Sequence, residues 1–324
     1  MKPLHGGDLG TVRRRFPDAP LPWLDLSTGI NPVGYPVGTL PADAWTRLPG
    51  RDDEAALCAA AAKAFGVRDP EMVVAAPGTQ AMIQLLPHML HEWGERVAIV
   101  GHTYEEHRVS WQRADYEVRT VEHLSDTTYD DIVVIVNPDN PTGRLFTRDE
   151  LRNVKGPLIV DEAFMDFLPA EASLASDLPL GAIVLRSFGK AYGLAGLRLG
   201  FAIADPDVLA PRLRDELGPW AVSGPALTIG RAALADTAWS SAAAARLERD
   251  CRRLDGMLAA AGCTPIGGTP LFRTVRHDDA PGLVQQLGRH GIHVRAFFLQ
   301  PDRLRFGLPC TGADFHRLAA ALGV

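Results

Sequence analysis

The chain has 324 residues, a formal net charge of −6 at pH 7, and 46% apolar and 22% charged residues, an ordinary balance that excludes a disordered chain. The acidic surplus argues against a binder of nucleic-acid backbone, because Arg13-Arg14-Arg15 is too short for a basic stripe and reads as a solvated helix face. No apolar run reaches the ~18 residues of a membrane span, no signal-peptide core opens the chain, and Cys58, Cys251, Cys263 and Cys310 lack metal-ligand spacing, so a metal-free protein with reduced thiols is expected in the cytoplasm.

His5-Gly6-Gly7-Asp8 and the segment through Trp23 to Pro32 are rich in Gly and Pro and read as an arm without regular structure, or simply as a mobile tail. Asp52 to Phe65 is an Ala-rich helix stopped at Gly66. Met72 to Ala76 reads as a strand, Pro77-Gly78-Thr79-Gln80 as a turn and Ala81 to Trp93 as a helix. Free backbone N–H groups at that helix start could receive a phosphate, although a plain strand-to-helix turn reads the same way. Arg96 to Val100 is the next strand, followed by Tyr104. Ile132 to Val136 is a continuous β-branched run, as in a strand covered on both faces. It leads into Asn137-Pro138-Asp139-Asn140-Pro141-Thr142-Gly143, where two Asx-Pro steps fix a turn. Thr147 and Glu150 form a capping box.

Leu158 to Glu162 is a strand ending in carboxylates, a costly place for Asp161 unless a cation faces it. Ala182 to Leu185 reads as a buried strand, broken by Ser187 and Gly189, so Lys190 is expected on a loop at a strand end, where open α/β sheets keep their ligands. Phe188, Tyr192 and Leu194 would strip solvent from Lys190, lower its pKa and make its amine a nucleophile able to form a Schiff base. Taken alone, a lysine is more often a solvated surface residue. Ser187 and Arg198 flank it with a hydroxyl and a guanidinium suited to a phosphate. After Asp205-Pro206 long Ala/Leu/Arg helices run to Gly262, with Arg246, Arg249, Arg252 and Arg253 read as a solvated face. The tail alternates strand-like pieces at Leu271 to Val275, His293 to Phe298 and Leu304 to Leu308 with helices near Pro281 to His290 and at the C-terminus. Arg305 falls mid-strand, where a charge requires an anionic partner.

The lysine, the strand-end aspartate and Asn140-Pro141-Thr142-Gly143 resemble the fold-type-I pyridoxal phosphate enzymes, the class I/II aminotransferase superfamily. The resemblance implies a three-layer α/β/α large domain over 46–205 with a mostly parallel sheet, and a smaller α+β domain from 1–45 and 206–324, in a homodimer. It implies pyridoxal 5′-phosphate carried covalently on Lys190, with Gly78, Thr79, Ser187 and Arg198 as the phosphate cup, Tyr104 stacked on the ring, Asn140 on the ring hydroxyl and Asp161 on the ring nitrogen. Arg305 would take the substrate carboxylate. Arg295 would take a substrate phosphate or stand in an ion pair.

Within the superfamily, His5-Gly6-Gly7, Ile30-Asn31-Pro32 and Asp161-Glu162-Ala163-Phe164 resemble the cobalamin-pathway threonine-phosphate decarboxylases, in which the arm folds over the substrate; His5, Gly6 and Asn31 then bind substrate. Phe164 stands where aminotransferases commonly carry a tyrosine that donates to the ring hydroxyl, so the lysine–cofactor linkage should be more basic. Leu48 stands where many relatives have a tyrosine that reaches the partner subunit. The implied activity is decarboxylation of L-threonine O-3-phosphate. A histidinol-phosphate-type aminotransferase is the second reading. A cofactor-sensing DNA-binding regulator is the third, disfavoured by the absence of a helix-turn-helix segment in this sequence.

Overall fold

The computed structural model describes residues 6–324. In chain order its first elements are α1 (Leu9–Arg15), β1 (Leu24–Leu26), α2 (Asp43–Thr46), α3 (Arg51–Phe65), β2 (Val73–Ala76), α4 (Thr79–Met89), β3 (Arg96–Val100), α5 (Glu105–Arg113), β4 (Glu117–Val121) and β5 (Asp131–Val136). There follow α6 (Arg148–Arg152), β6 (Leu158–Asp161), β7 (Ala182–Ser187), α7 (Phe188–Ala191), β8 (Gly200–Ile203), α8 (Leu209–Leu217), α9 (Gly224–Ala235) and α10 (Thr237–Ala260). The chain ends with β9 (Thr264–Thr269), β10 (Phe272–Arg276), α11 (Ala280–Arg289), β11 (Ile292–Ala296), β12 (Arg303–Gly307) and α12 (Gly312–Leu322).

Two compact units result. The larger comprises Tyr35–Asn140 and Arg144–Trp239, and holds a seven-stranded sheet in the order β2-β8-β7-β6-β5-β3-β4. β8 runs antiparallel to β2 and β7, and the other pairs are parallel. Because side chains alternate along a strand, Val133, Ile135, Val160, Val184, Phe201 and Ile203 pack on one face with Leu57, Phe65 and Ala226. Ile132, Val134, Ile159, Ile183 and Leu185 pack on the other with Met82, Leu86, Trp111 and Leu213. Helices therefore cover both faces, which is what the unbroken apolar strands required.

The boundaries differ from those read in the sequence. Residues 35–45 and 206–239 belong to this larger unit, because α9 packs on α2 and α3: a Cβ on Gly224 would lie 2.3 Å from Ala44 O, and one on Gly230 would lie 2.9 Å from Leu57 Cδ1. The shift from strands to helices after Asp205 marks the closing layer of the large unit.

The smaller unit contains residues 6–34, Pro141–Gly143 and Ser240–Val324, with a five-stranded sheet ordered β1-β11-β12-β10-β9. The arm is more regular than its composition suggests. Asp8 caps α1 through the Thr11 N–H, and β1 pairs parallel with β11, Leu24 opposite Ile292. Arg246 also departs from the expected solvated face: it is half-buried on α10 and donates to Asn31 Oδ1.

Asp131, fully buried at the start of β5, is held by Arg119 Nη2 at 2.5 Å and by the Thr128 N–H at 2.7 Å. Burial alone would push its carboxyl up, yet these bonds outweigh burial and hold it at about 2, below the ordinary 3.8. A pKa lowered by folding adds stability above the unfolded value, and that stability is lost as pH falls through the folded one. Stability of the large unit should therefore drop between pH ~4 and ~2, by roughly 2 kcal/mol from this group. Asp131→Asn should remove that share of the acid dependence in urea titrations.

Candidate active site

The large unit gathers its polar residues at the carboxyl ends of its parallel strands, the usual ligand position in open α/β sheets. β6 ends at Asp161, which is 3% exposed. Its Oδ2 lies 3.0 Å from His107 Nε2 on α5, and its Oδ1 accepts from the Ala163 N–H at 3.0 Å. Burial pushes the carboxyl up, but the His107 bond, the charges of His107 and Lys190 and the Ala163 N–H together bring it below its ordinary value. Asp161 is thus an ionised buried acid, and an ion of that kind requires a cationic partner. Nothing in the sequence marked His107, which lies three residues beyond Tyr104 and 54 before Asp161.

β7 extends through Ser187, and Lys190 stands in the single helical turn α7 rather than on a loop. Its Nζ lies 4.0 Å from the centroid of the Phe164 ring. The expected aromatic company of Phe188 and Tyr192 turns elsewhere: these two rings stack on each other at 4.3 Å and are buried. Glu162, the second carboxylate of β6, is held by Ser173 and by Arg186, which also bonds Asp166 at 2.8 Å. Burial raises the Glu162 carboxyl despite these partners. The sequence reading missed this ion group, whose members face one another only once β6 and β7 are paired.

The turn after β2 is tighter than expected: α4 begins at Thr79, with Gly78 as N-cap and no side-chain cap, so its first N–H groups lack an intrahelical partner. Gly78 adopts φ +86, and a Cβ there would come within 2.6 Å of Arg198 Nη2. Arg198 is itself left-handed at φ 55, a conformation seldom seen in residues other than glycine and most common at functional sites. An uncapped helix start beside a guanidinium forms an anion cradle. A Cβ on Gly200 would sit 2.6 Å from Thr79 N, so Gly200→Ala should displace that N–H and weaken pyridoxal phosphate binding about 5- to 100-fold. Titration of visible absorbance measures the change.

Tyr104, the N-cap of α5, donates to Gln80 Oε1 at 3.1 Å and packs edge-on to His107 at 6.1 Å. The Asn140 backbone carbonyl accepts from Thr103 Oγ1 at 3.2 Å. Cradle, buried anion and amine suit the phosphate, ring nitrogen and aldehyde of pyridoxal 5′-phosphate, so the residues present fit the cofactor.

In the smaller unit Arg295 and Arg305 stand opposite each other on β11 and β12. Arg305 is buried and donates to Ser27 O at 2.9 Å. Burial, and then the charge of Arg295, lower its guanidinium to about 9, a state that an anionic ligand would relieve. Asn31 Oδ1 also accepts from the Val33 N–H at 3.1 Å. A Cβ on Gly6 would lie 2.5 Å from Ser27 O, so the first glycine of the arm permits a close backbone approach. His5 lies outside the described residues.

No helix among the described residues is long and apolar enough to cross a membrane, and no group of three or more His, Cys, Asp or Glu side chains among them could hold a metal.

Comparison with known proteins supplies the family. The aminotransferase class I and II family model matches residues 40–322. The chain is 42% identical to the threonine-phosphate decarboxylase of Pseudomonas aeruginosa, over 98% of this chain and 96% of that protein. It is also 42% identical to the one from Sinorhizobium sp, over 98% and 97%. Among solved structures, a histidinol-phosphate aminotransferase from Sinorhizobium meliloti in complex with pyridoxal-5′-phosphate superposes with a TM-score of 0.78 at 22% identity, covering 97% of this chain and 93% of that one. The L-threonine-O-3-phosphate decarboxylase from Porphyromonas gingivalis gives 0.76 at 19% identity, covering 93% and 98%; at such identities the likeness concerns the fold. With its sheet order, cradle and buried acid, the chain belongs to the class I and II aminotransferase family.

Proposed function

We propose that the protein is a pyridoxal phosphate-dependent lyase that decarboxylates L-threonine O-3-phosphate, giving (R)-1-amino-2-propanol O-2-phosphate for cobalamin biosynthesis. The observation that carries this reading is 42% identity over 98% of the chain to two threonine-phosphate decarboxylases. Pyridoxal 5′-phosphate, when bound, supplies an electron sink for the pair left at the substrate Cα.

The protein's own residues do the rest. The N–H groups at Gly78 and Thr79, with Ser187 and Arg198, bind the cofactor phosphate. Asp161 keeps the ring nitrogen protonated because its own carboxyl stays ionised. Asn140 holds the ring hydroxyl and Tyr104 covers the ring. Lys190 would hold the cofactor through its aldehyde and would give a proton to Cα. Arg305 takes the substrate carboxylate and Arg295 the substrate phosphate, with His5, Gly6 and Asn31 as further substrate-binding residues. That chemistry would leave more than one bond at Cα open to breaking, so the residues that orient the substrate carboxylate, Arg305 among them, would decide the reaction.

The large exposed side chains Trp45, Leu48 and Trp220 suit a subunit contact, and we propose a homodimer. Leu48 cannot supply the hydroxyl that many relatives send to the partner. Four free cysteines, one of them exposed, suit a reducing compartment, and we place the enzyme in the cytoplasm.

Supplying L-threonine O-3-phosphate should release carbon dioxide without keto acid. Release of keto acid with the cofactor left in its amine form would instead favour an aminotransferase of the histidinol-phosphate type.

A further inference from the structure

Within the smaller unit the side chain of Asn31 is buried, and its orientation is set from α10. Arg246, half-buried on that helix, donates through Nη2 to Asn31 Oδ1, and the Val33 N–H donates to the same oxygen at 3.1 Å. A guanidinium carries donors only, so it selects the oxygen of an amide, and two donors fill that oxygen's two acceptor positions. The amide nitrogen, with its two N–H groups, is then the end turned away from Arg246. The segment that carries this amide follows β12. Arg305 Nη2 donates to Ser27 O at 2.9 Å, a Cβ on Gly307 would lie 2.3 Å from Thr28 O, and Cys310 Sγ donates to Pro32 O at 3.3 Å. Residues 27–32 thus run alongside residues 305–310, and Asn31 stands on the same run as the Arg305 guanidinium. Keeping Arg246 there is unfavourable in itself: burial lowers its guanidinium below the ordinary value, against the charge of Asp250, whose Oδ2 is 3.9 Å from Nε. Arg249 and Arg252, by contrast, are exposed and bond within their own helix.

Resting on the reading of Asn31 as a substrate-binding residue, we propose that Arg246 is a positioning residue that fixes the Asn31 amide, so that its N–H groups meet an anionic oxygen of the substrate. The arrangement works through the sign of charge. An amide turned the other way would present the negative end of its carbonyl dipole to a carboxylate or phosphate and repel it. To turn, the amide would have to set its N–H groups against the guanidinium and lose two bonds, one of them to a charged donor, in a buried setting where such losses cost most. The same orientation discriminates among ligands: it accepts an oxyanion and rejects an ammonium at that point.

The test uses the protein loaded with pyridoxal 5′-phosphate and reduced with borohydride, so that ligands bind without turnover. Calorimetric titration with L-threonine O-3-phosphate then reads the dissociation constant. Arg246→Met should raise that constant about 5- to 30-fold, since the amide then turns freely and its bond to the anion is lost part of the time. Arg246→Lys, which keeps a donor and adds no acceptor, should stay within about threefold of the parent. Asn31→Asp, which keeps the bond to Arg246 but replaces the N–H groups with a second oxygen, should raise the constant ~30-fold or more. In an Asn31→Ala background Arg246→Met should add less than about twofold, because Arg246 acts through the amide. L-threonine and (R)-1-amino-2-propanol O-2-phosphate, titrated in the same way, show whether the oxygen belongs to the carboxylate or to the phosphate, and the effect of Arg246→Met should persist in one of the two. An unmoved dissociation constant in Arg246→Met overturns the proposal even if thermal unfolding shifts, and so does an equal rise with Asn31 present and absent. Should Arg246→Met fail to fold, Asn31→Asp decides, and binding at the parent level overturns the proposal. Keto acid released by the unreduced parent overturns the decarboxylase reading instead, and the dissociation constants still decide the role of Arg246.

Discussion

Replacing Lys190 by alanine should abolish the visible absorbance of the cofactor-supplemented protein and cut carbon dioxide release by ~10⁴-fold or more, since on the proposed mechanism it removes both the group that would bind the aldehyde and the carrier of the Cα proton. The loss should be chemical and not structural. Lys190 is only half-buried, and its turn is held by backbone bonds such as Tyr192 N–H to Phe188 O, 3.2 Å, which alanine retains. Thermal unfolding of the variant should therefore stay close to that of the parent. In the parent, borohydride should fix the cofactor to a single peptide, and of the four lysines, Lys2, Lys63, Lys155 and Lys190, only the last should carry it. Colour retained in Lys190→Ala, or reduction onto another lysine, would contradict the assignment.

The elements legible in the sequence are those with local causes. The β-branched run of β5 could only be a doubly covered strand, Gly66 stops α3 in the left-handed conformation, and Thr147 and Glu150 make the capping box they suggested. The elements missed depend on distant partners. β1 is a three-residue strand only because β11, nearly 270 residues on, supplies its hydrogen bonds. β9 contains Pro265, Gly267 and Gly268 and is ordered by antiparallel pairing with β10, with an irregularity at Thr274/Val275.

The site divides along the same line. The sequence shows where β2, β6 and β7 end, and so where Gly78, Asp161 and Lys190 stand. His107 and the Arg186–Glu162 pair were not legible, because each bond joins two elements whose adjacency the chain does not state. Arg246 shows a subtler limit: four arginines at helical spacing give a face, but not which of them turns inward to Asn31.

Asp161→Asn removes the charge at nearly unchanged shape: its single amide oxygen can still accept from the Ala163 N–H, while its amide nitrogen then faces His107 Nε2. The expected result is a ~10²- to 10⁴-fold fall in kcat/KM, the effect of losing one side of a buried charge pair worth about 3–5 kcal/mol. The direction follows from the site. A fully buried carboxyl would ordinarily be driven toward its neutral form, yet His107 and Lys190 hold Asp161 ionised, and on the proposed mechanism that fixed negative charge would keep a proton on the cofactor's ring nitrogen. Since the carboxyl lies below its ordinary value, its contribution is present above the usual carboxylate range and is lost only as pH falls beneath it. The parent's activity should thus show no acid limb from Asp161 near neutrality, and raising pH should not rescue the variant. Because Lys190 is intact, the variant should still bind cofactor and turn yellow. A kcat/KM within about tenfold of the parent would mean that the charge at position 161 serves the fold and not the reaction.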